Sequence, residues 1–395
     1  MLFVQLERNE IRPEMLRLSR SEATLFLIPL LLVPLAIVGR KWKLAHTPKP
    51  HFLKQISLSS PPPNLYSNHW AQVETILPSP DGKVIYTGEK SKVKFHSRDA
   101  RSGRLIRSFG VFHYGNADAV LSPDGKILGF GYGGWNGDRI VLFHTASGKE
   151  KLQLPKPKAV GYGFDLNNEV VAVPDNDYIR LFSVKNGDFV GKLQHRVRDF
   201  YPKRPRFSSD GKQLLWIGST SRDFNSYANG HSNDEIVWFD WKKQQRIHAI
   251  EFSHTDLFNA RFSGDGKVIL ATGFRRYWVK SRATKSALAT DTLLFAVDAQ
   301  SGKQLYSRII TDWPNEIAVS PDGKWFAFPS PRKRDVQGKQ SFSIYAVRSG
   351  KEMDRIQTDY SPAAAWSADS KTLYLDLGTI RRIQQNGGRW NFPKR

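Results

Sequence analysis

Short apolar runs alternate with clusters of Ser, Pro, Asp, Asn and Gly along most of the chain, a pattern that predicts β-strands joined by tight turns rather than helices. The stretch from Ala119 to Leu154 shows the grammar. An apolar strand ends at Leu121, and Pro123-Asp124-Gly125 follows as a turn, since Pro presets φ, Asp bonds its own backbone and Gly tolerates positive φ. A second strand starts at Ile127. After a Gly-rich stretch comes a third strand, Arg139 to His144, whose continuous apolar residues suit burial on both faces. Ser147-Gly148-Lys149 then turns the chain into a fourth strand, Lys151 to Leu154.

The first turn phrase recurs. Copies begin at Ser79, Ser122, Ser208, Ser263, Ser320 and Ser367, and Leu166-Asn167-Asn168-Glu169 reads as a worn copy with Asn167 in the Asp position. The Asp or Asn positions are 81, 124, 167, 210, 265, 322 and 369, with steps of 43, 43, 43, 55, 57 and 47. A period of about 40–45 residues is that of a four-stranded propeller blade. The second turn recurs too, at Ser102-Gly103, Asn186-Gly187, Ser301-Gly302, Ser349-Gly350 and Asn386-Gly387, with Lys242-Lys243-Gln244 in the fourth copy. The expected fold is therefore an all-β, seven-bladed β-propeller.

On these motifs the chain resembles the WD-repeat propellers over residues 53–395. The Trp-Asp pair of that family is eroded to Phe143-His144, Phe182-Ser183, Phe239-Asp240, Val297-Asp298 and Tyr345-Ala346, while an Asp before strand three stands at Asp138, Asp177, Asp234 and Asp291. His69, His113 and His254 occupy a position the family favours. The resemblance implies that His113 with Asp138, and His254 with Asp291, are structural hydrogen-bonded pairs rather than acid/base pairs. The sixth repeat, SPDGKWFAFPSPRKRD, is similar to Tol-system propellers.

The N-terminus breaks the pattern. Residues 23–39, ATLFLIPLLLVPLAIVG, are uncharged and close to the shortest stretch that spans a bilayer as a helix. They are read as a single transmembrane anchor, with 1–22 as a tail and 40–52 as a basic tether. A cleaved signal peptide fits less well, because Glu7, Glu10, Glu14 and Glu22 precede the span and no small-x-small site follows it. Four basic residues before the span and five after it leave its orientation open. The apolar piece Leu53 to Leu58 is expected to join the seventh blade and staple the ring, since a propeller must protect its strand edges.

Composition adds one decisive feature. Lys and Arg number 59 against 37 Asp and Glu, a net charge of +22. The family resemblance places the two turns of each repeat on one rim and the longer loops on the other, and the excess charge falls on the longer loops. HRVRDFYPKRPR contributes Arg196, Arg198, Lys203, Arg204 and Arg206; the stretch Gly273 to Thr292 contributes Arg275, Arg276, Lys280 and Arg282, with Tyr277 and Trp278 among them; Arg332, Lys333 and Arg334 form a third group. This rim is the expected binding surface for an acidic protein or another polyanion. Nucleic acid is a possible polyanion, but no nucleic-acid motif is present.

Catalytic chemistry finds little support. The chain has no cysteine and no G-x-S-x-G elbow, so thiol chemistry and the α/β-hydrolase nucleophile are excluded. No cofactor or metal site is expected: Asp175-Asn176-Asp177 and His231 to Glu235 lack a metal-loop pattern, and the Gly129 to Gly134 stretch lacks the Lys-Ser/Thr of a phosphate loop. The reading is a membrane-anchored, non-catalytic interaction or scaffolding module. Its rival is a propeller hydrolase or lyase working in the central channel.

Overall fold

The computed structural model describes residues 73–89, 94–111, 117–132, 139–154, 163–175, 178–194, 201–219, 233–279, 287–310, 317–330, 340–358, 363–376, 380–386 and 389–391. The expected anchor, the tether and the Leu53 to Leu58 staple lie outside them. Among the described residues no helix is long and apolar enough to cross a membrane.

The fold is an all-β propeller. The described residues form seven four-stranded antiparallel sheets, each made from one uninterrupted length of chain with its strands in sequence order. The first strands are Val73–Pro78, Ala117–Leu121, Asp165–Leu166, Tyr201–Phe207, Thr255–Phe262, Ala318–Val319 and Ala364–Trp366. Consecutive first strands neighbour one another except Thr255–Phe262 and Ala318–Val319, which are linked by Arg261 Nη1 to Ile317 O, and Val73–Pro78 neighbours Ala364–Trp366, so they surround the axis.

Burial follows from this arrangement. Both faces of the middle strands are covered, as in Arg139–His144, where Ile140, Val141, Leu142 and Phe143 are all buried. The apolar core is divided into clusters between consecutive sheets. One runs from Phe95 and Phe109 to Phe130 and Phe143, another from Leu215 and Trp238 to Ile269 and Phe295. A small cluster of Ile76, Ile85, Ala100 and Tyr374 joins the seventh sheet back to the first. The Gly-rich strand Ile127–Tyr132 has a packing role: a Cβ at Gly129 or Gly131 would stand 2.9 or 2.8 Å from the Phe164 ring of the next sheet. The bare backbone of this strand is thus the floor on which an aromatic ring of the next sheet rests.

The turn phrase folds the same way each time. In the second sheet, Ser122 Oγ donates to Asp124 Oδ1 at 2.7 Å and accepts the Ile127 N–H at 2.9 Å, while Asp124 Oδ1 accepts the Lys126 N–H at 3.0 Å. The worn copy needs correction. Asn167 takes the place of the Ser, not the Asp: its Oδ1 accepts the N–H groups of Glu169 and Val170, both at 2.8 Å, in a turn two residues shorter.

The turns also grip one another around the rim. Asp124 N–H donates to Asn168 Oδ1 (3.1 Å), Asn167 Nδ2 to Gly211 O (3.1 Å), Ser209 Oγ to Gly264 O (2.5 Å), and Asp322 N–H to Ser370 Oγ (2.9 Å). Gly264 lies so close to the Pro321 carbonyl that a Cβ there would overlap it. Ser370 stands in the glycine position at φ 60°, a left-handed conformation offset by the bond its hydroxyl makes to the sixth sheet. No such turn-to-turn bond links the seventh sheet to the first among the described residues.

Candidate functional site

Two places on this scaffold gather chemistry beyond what closure of the ring requires: a projecting hairpin in the fifth sheet and a charged group on the axis.

The stretch Gly273 to Thr292, read from sequence as a basic loop, is regular structure. Strands Val268–Val279 and Ala287–Asp298 pair without interruption from Val268↔Asp298 to Val279↔Ala287. The corresponding strands of the fourth sheet pair only from Gln213↔Asp240 to Ser219↔Asp234. Five further pairs carry the hairpin about 17 Å farther at ~3.4 Å per residue. The first strand of the sheet pairs with it as far as Thr255↔Arg275 and the fourth as far as Thr292↔Ile310, so beyond Arg275 and Asp291 the sheet is two-stranded.

At that transition, Arg275 and Asp291 are cross-strand partners, an arrangement that favours opposite charges. Arg275 Nη2 lies 2.9 Å from Asp291 Oδ2, Tyr277 donates its hydroxyl to Asp291 Oδ1 at 3.2 Å, and the Arg275 guanidinium sits 5.7 Å from the Tyr277 ring centre. Donation to the Asp291 carboxylate, with its negative charge beside the phenol, raises the Tyr277 pKa. Tyr277 remains 40% exposed, so the cation–aromatic pair is presented to solvent in a fixed pose. Asp291 is therefore committed to Arg275 and Tyr277, which corrects its expected pairing with His254. The His254 backbone N–H bonds Asn233 Oδ1 at 2.9 Å, and its residue is exposed at φ 54°. Arg276 and Trp278 lie on the same strand; Lys280 and Arg282 fall outside the described residues.

The HRVRDFYPKRPR segment also departs from the loop reading. Tyr201–Phe207 is the first strand of the fourth sheet, and the register slips between Lys203↔Ile217 and Arg206↔Leu215 in a bulge where Arg204 takes φ 47°. Lys203 and Arg204 therefore belong to an inner strand. Arg206 is not a rim charge at all: its Nη1 donates to Phe164 O and Pro205 O, each at 3.1 Å. Arg196, Arg198, Arg332, Lys333 and Arg334 lie outside the described residues.

The axial group was not expected. Asp165, Arg206 and Arg261 each stand two residues before the Asn or Ser that opens the turn of their sheet, on three consecutive sheets. Asp165 Oδ2 accepts the Phe207 N–H at 2.8 Å and its Oδ1 the Leu166 N–H at 2.9 Å. Desolvation raises the Asp165 pKa, opposed by the charge of Arg206, the two amide hydrogen bonds and the charge of Arg261. Arg261 Nη1 reaches forward to Ile317 O of the sixth sheet at 3.1 Å. All three residues are half-buried.

Other sequence candidates resolve into structure. Asp234 is buried and its Oδ2 accepts the Leu257 N–H of the fifth sheet at 2.8 Å, a latch between sheets. Asp175 pairs with Arg180 at 2.5 Å. Among the described residues no three His, Asp or Glu side chains are grouped to hold a metal ion.

No family model and no curated protein sequence matches the chain. Solved structures do match. Kuenenia stuttgartiensis hydrazine synthase aligns at TM-score 0.60 and 15% identity, over 80% of this chain and 97% of that one. The β-propeller domain of Myceliophteria thermophila Cps50 (Swd1) aligns at TM-score 0.58 and 14% identity, over 86% of this chain and 100% of that one. At these identities the likeness is one of fold.

Proposed function

We propose that this chain is a membrane-tethered, seven-bladed, WD-repeat-like propeller that acts as a non-catalytic interaction module, engaging an acidic protein surface through the hairpin of the fifth sheet. The observation that carries the reading is the projecting hairpin, where an arginine and a tyrosine are held on one exposed face by a shared aspartate. A rigid cationic and aromatic surface loses little side-chain entropy on binding, which favours recognition of carboxylates. The stretch Gly273 to Thr292 carries five basic residues against one acidic residue. Residues 23–39 would hold the propeller at a membrane, with 40–52 as a basic tether at the headgroups. The channel-enzyme alternative has Asp165 as its best acid; that carboxylate already accepts two backbone amides, which suits a structural role.

The test compares two charge-removal variants of the full chain in detergent, using poly-glutamate as probe. Changing Arg275, Arg276, Lys280 and Arg282 to Gln should weaken binding and flatten its salt dependence, by analogy with phosphate contacts, each of which contributes about one unit of log–log slope. Changing Lys83, Lys126, Lys267 and Lys324 to Gln on the turn rim should do neither. Equal effects from the two sets would reduce the binding to net charge and sink the proposal.

A further inference from the structure

We infer that the third sheet carries a second surface for acidic peptides, formed by Lys192, Tyr178 and Arg180 at the rim where its second strand passes into its third. The surface is built outward from a buried charge. Asp175, the last residue of strand Val170–Asp175, is fully buried, and Arg180 on strand Tyr178–Ser183 brings its Nε to 2.5 Å from the carboxylate. A carboxylate out of water needs such a partner, and the pairing fixes the guanidinium in turn. Arg180 Nη2 donates to the Tyr178 hydroxyl at 3.1 Å, and the guanidinium carbon lies 5.6 Å from the Tyr178 ring centre. Strand Phe189–Gln194 sets Lys192 directly across from Arg180, and the Lys192 ammonium stands 5.0 Å from the same ring centre.

Two cations on cross-strand partners repel, and the carboxylate of Asp175 is engaged by only one of them. Lys192 is exposed and makes no ion pair among the described residues; its charge rests on the tyrosine ring. The repeat does not dictate this set. The fifth-sheet hairpin holds the same three residue types as Arg275, Tyr277 and Asp291, but with the arginine and tyrosine on the second strand and the aspartate on the third, the reverse of the third sheet. The atoms left on offer give the ligand its class. The Nε and Nη2 edge with which an arginine forks a phosphate is occupied by Asp175 and Tyr178, so Arg180 supplies charge and no fork. The Tyr178 ring already has a cation over it, which leaves it poorly placed to stack on a base. What remains is a point charge, Lys192, on a fixed aromatic bed, and this suits the carboxylates of an acidic peptide. The surface shares its class of partner with the hairpin and does not require the two to engage one molecule.

The test uses the full chain in detergent with the hairpin neutralised, Arg275, Arg276, Lys280 and Arg282 each changed to Gln, and a glutamate oligomer as probe at constant ionic strength. Binding should persist in that background. Lys192→Gln should weaken it about threefold and Lys192→Glu about tenfold, the scale of one exposed ion pair and of its reversal. Tyr178→Leu keeps every charge and removes the ring under the ammonium; it should weaken binding as much as Lys192→Gln, which net charge alone does not produce. Lys185→Gln, an equal change of charge at the opposite rim of the same sheet, should leave binding unchanged. The inference is overturned if Lys192→Gln acts no differently from Lys185→Gln, or if the hairpin-neutralised chain does not bind the oligomer. An oligouridylate bound more tightly than the glutamate oligomer, and weakened by the same variants, would overturn the acidic peptide in favour of nucleic acid. Binding by the hairpin-neutralised chain equal to that of wild type, with Lys192→Gln still weakening it, would sink the hairpin reading and support this surface.

Discussion

Ser263 carries the turn of the fifth sheet on one oxygen. Its Oγ donates to Asp265 Oδ1 at 2.6 Å and accepts the N–H of the buried Val268 at 2.9 Å. Ser263→Ala leaves that amide unsatisfied, and equilibrium unfolding should show a loss of about 1–3 kcal/mol. The aspartates of these turns add a pH dependence. The Ser79 hydroxyl and the Lys83 amide lower the Asp81 pKa, and Ser367 and Lys371 do the same for Asp369. In Asp124 and Asp210 burial pushes the other way and is the largest single influence, yet the hydrogen bonds from Ser and from the Lys amide, with the bond and charge of the Lys ammonium, together outweigh it. A depressed carboxylate pKa stabilises the fold above the unfolded value of 3.8, and that stabilisation is lost as pH falls through the folded value. The Tm difference between wild type and Asp81→Asn should accordingly be present at pH 6 and shrink as the pH falls below 4. These turns were legible in the sequence because their chemistry is local: Pro, Asp and Gly act within five residues. The shortened copy at Asn167 was misaligned because an Asn can play either the Ser or the Asp part, and only the bond to Val170 decides between them.

At the scale of elements, legibility fell where burial does not impose a period. The outer half of the fifth-sheet hairpin mixes charged and apolar residues on both faces, so Arg275 to Val279 read as a basic loop although it pairs residue for residue with Ala287 to Asp291. Tyr201–Phe207 was obscured differently: Pro202, Pro205 and a bulge break the alternation of an inner strand. The axial group had a signal that was present all along, the shared offset of Asp165, Arg206 and Arg261 from their turns, but it emerges only when the inner strands are aligned on the turn serine. The hairpin supplies its own check. Asp291→Asn should lower the Tyr277 pKa toward the ordinary tyrosine value of 10.0, because it removes the carboxylate that the phenol donates to. Ultraviolet titration of the phenol reads this directly, while global stability should change by less than about 1 kcal/mol, as for other exposed ion pairs. An unchanged phenol pKa would mean that the two residues do not share a proton-donating contact in solution.

Across the whole molecule the ring depends on the junction between its last sheet and its first. Ile76 and Ile85 of the first sheet, Ala100 after its third strand and Tyr374 of the seventh sheet are buried together at the junction that closes the ring. No turn-to-turn hydrogen bond adds to this packing among the described residues, as none does between the first and second or the fifth and sixth sheets. A closure held by side chains, with no strand shared across it among the described residues, is the place where a ring opens first, so native-state hydrogen exchange should release amides of the first and seventh sheets before those of the fourth and fifth. Tyr374→Ala should accelerate that exchange and cost about 3–5 kcal/mol, as loss of a large buried ring does. Uniform protection around the ring would show that this junction is no weaker than the rest.

That junction also decides how the molecule bears a load. Each sheet is one continuous length of chain, and no strand of the described residues is shared between the last sheet and the first. Any tension transmitted through the residues preceding Val73 enters at the innermost strand of the first sheet, the strand that neighbours Ala364–Trp366. It is met there by side-chain packing rather than by a row of backbone hydrogen bonds among the described residues. A pull from the N-terminal side should therefore peel the first sheet away at low force and leave the remaining sheets assembled as an open arc.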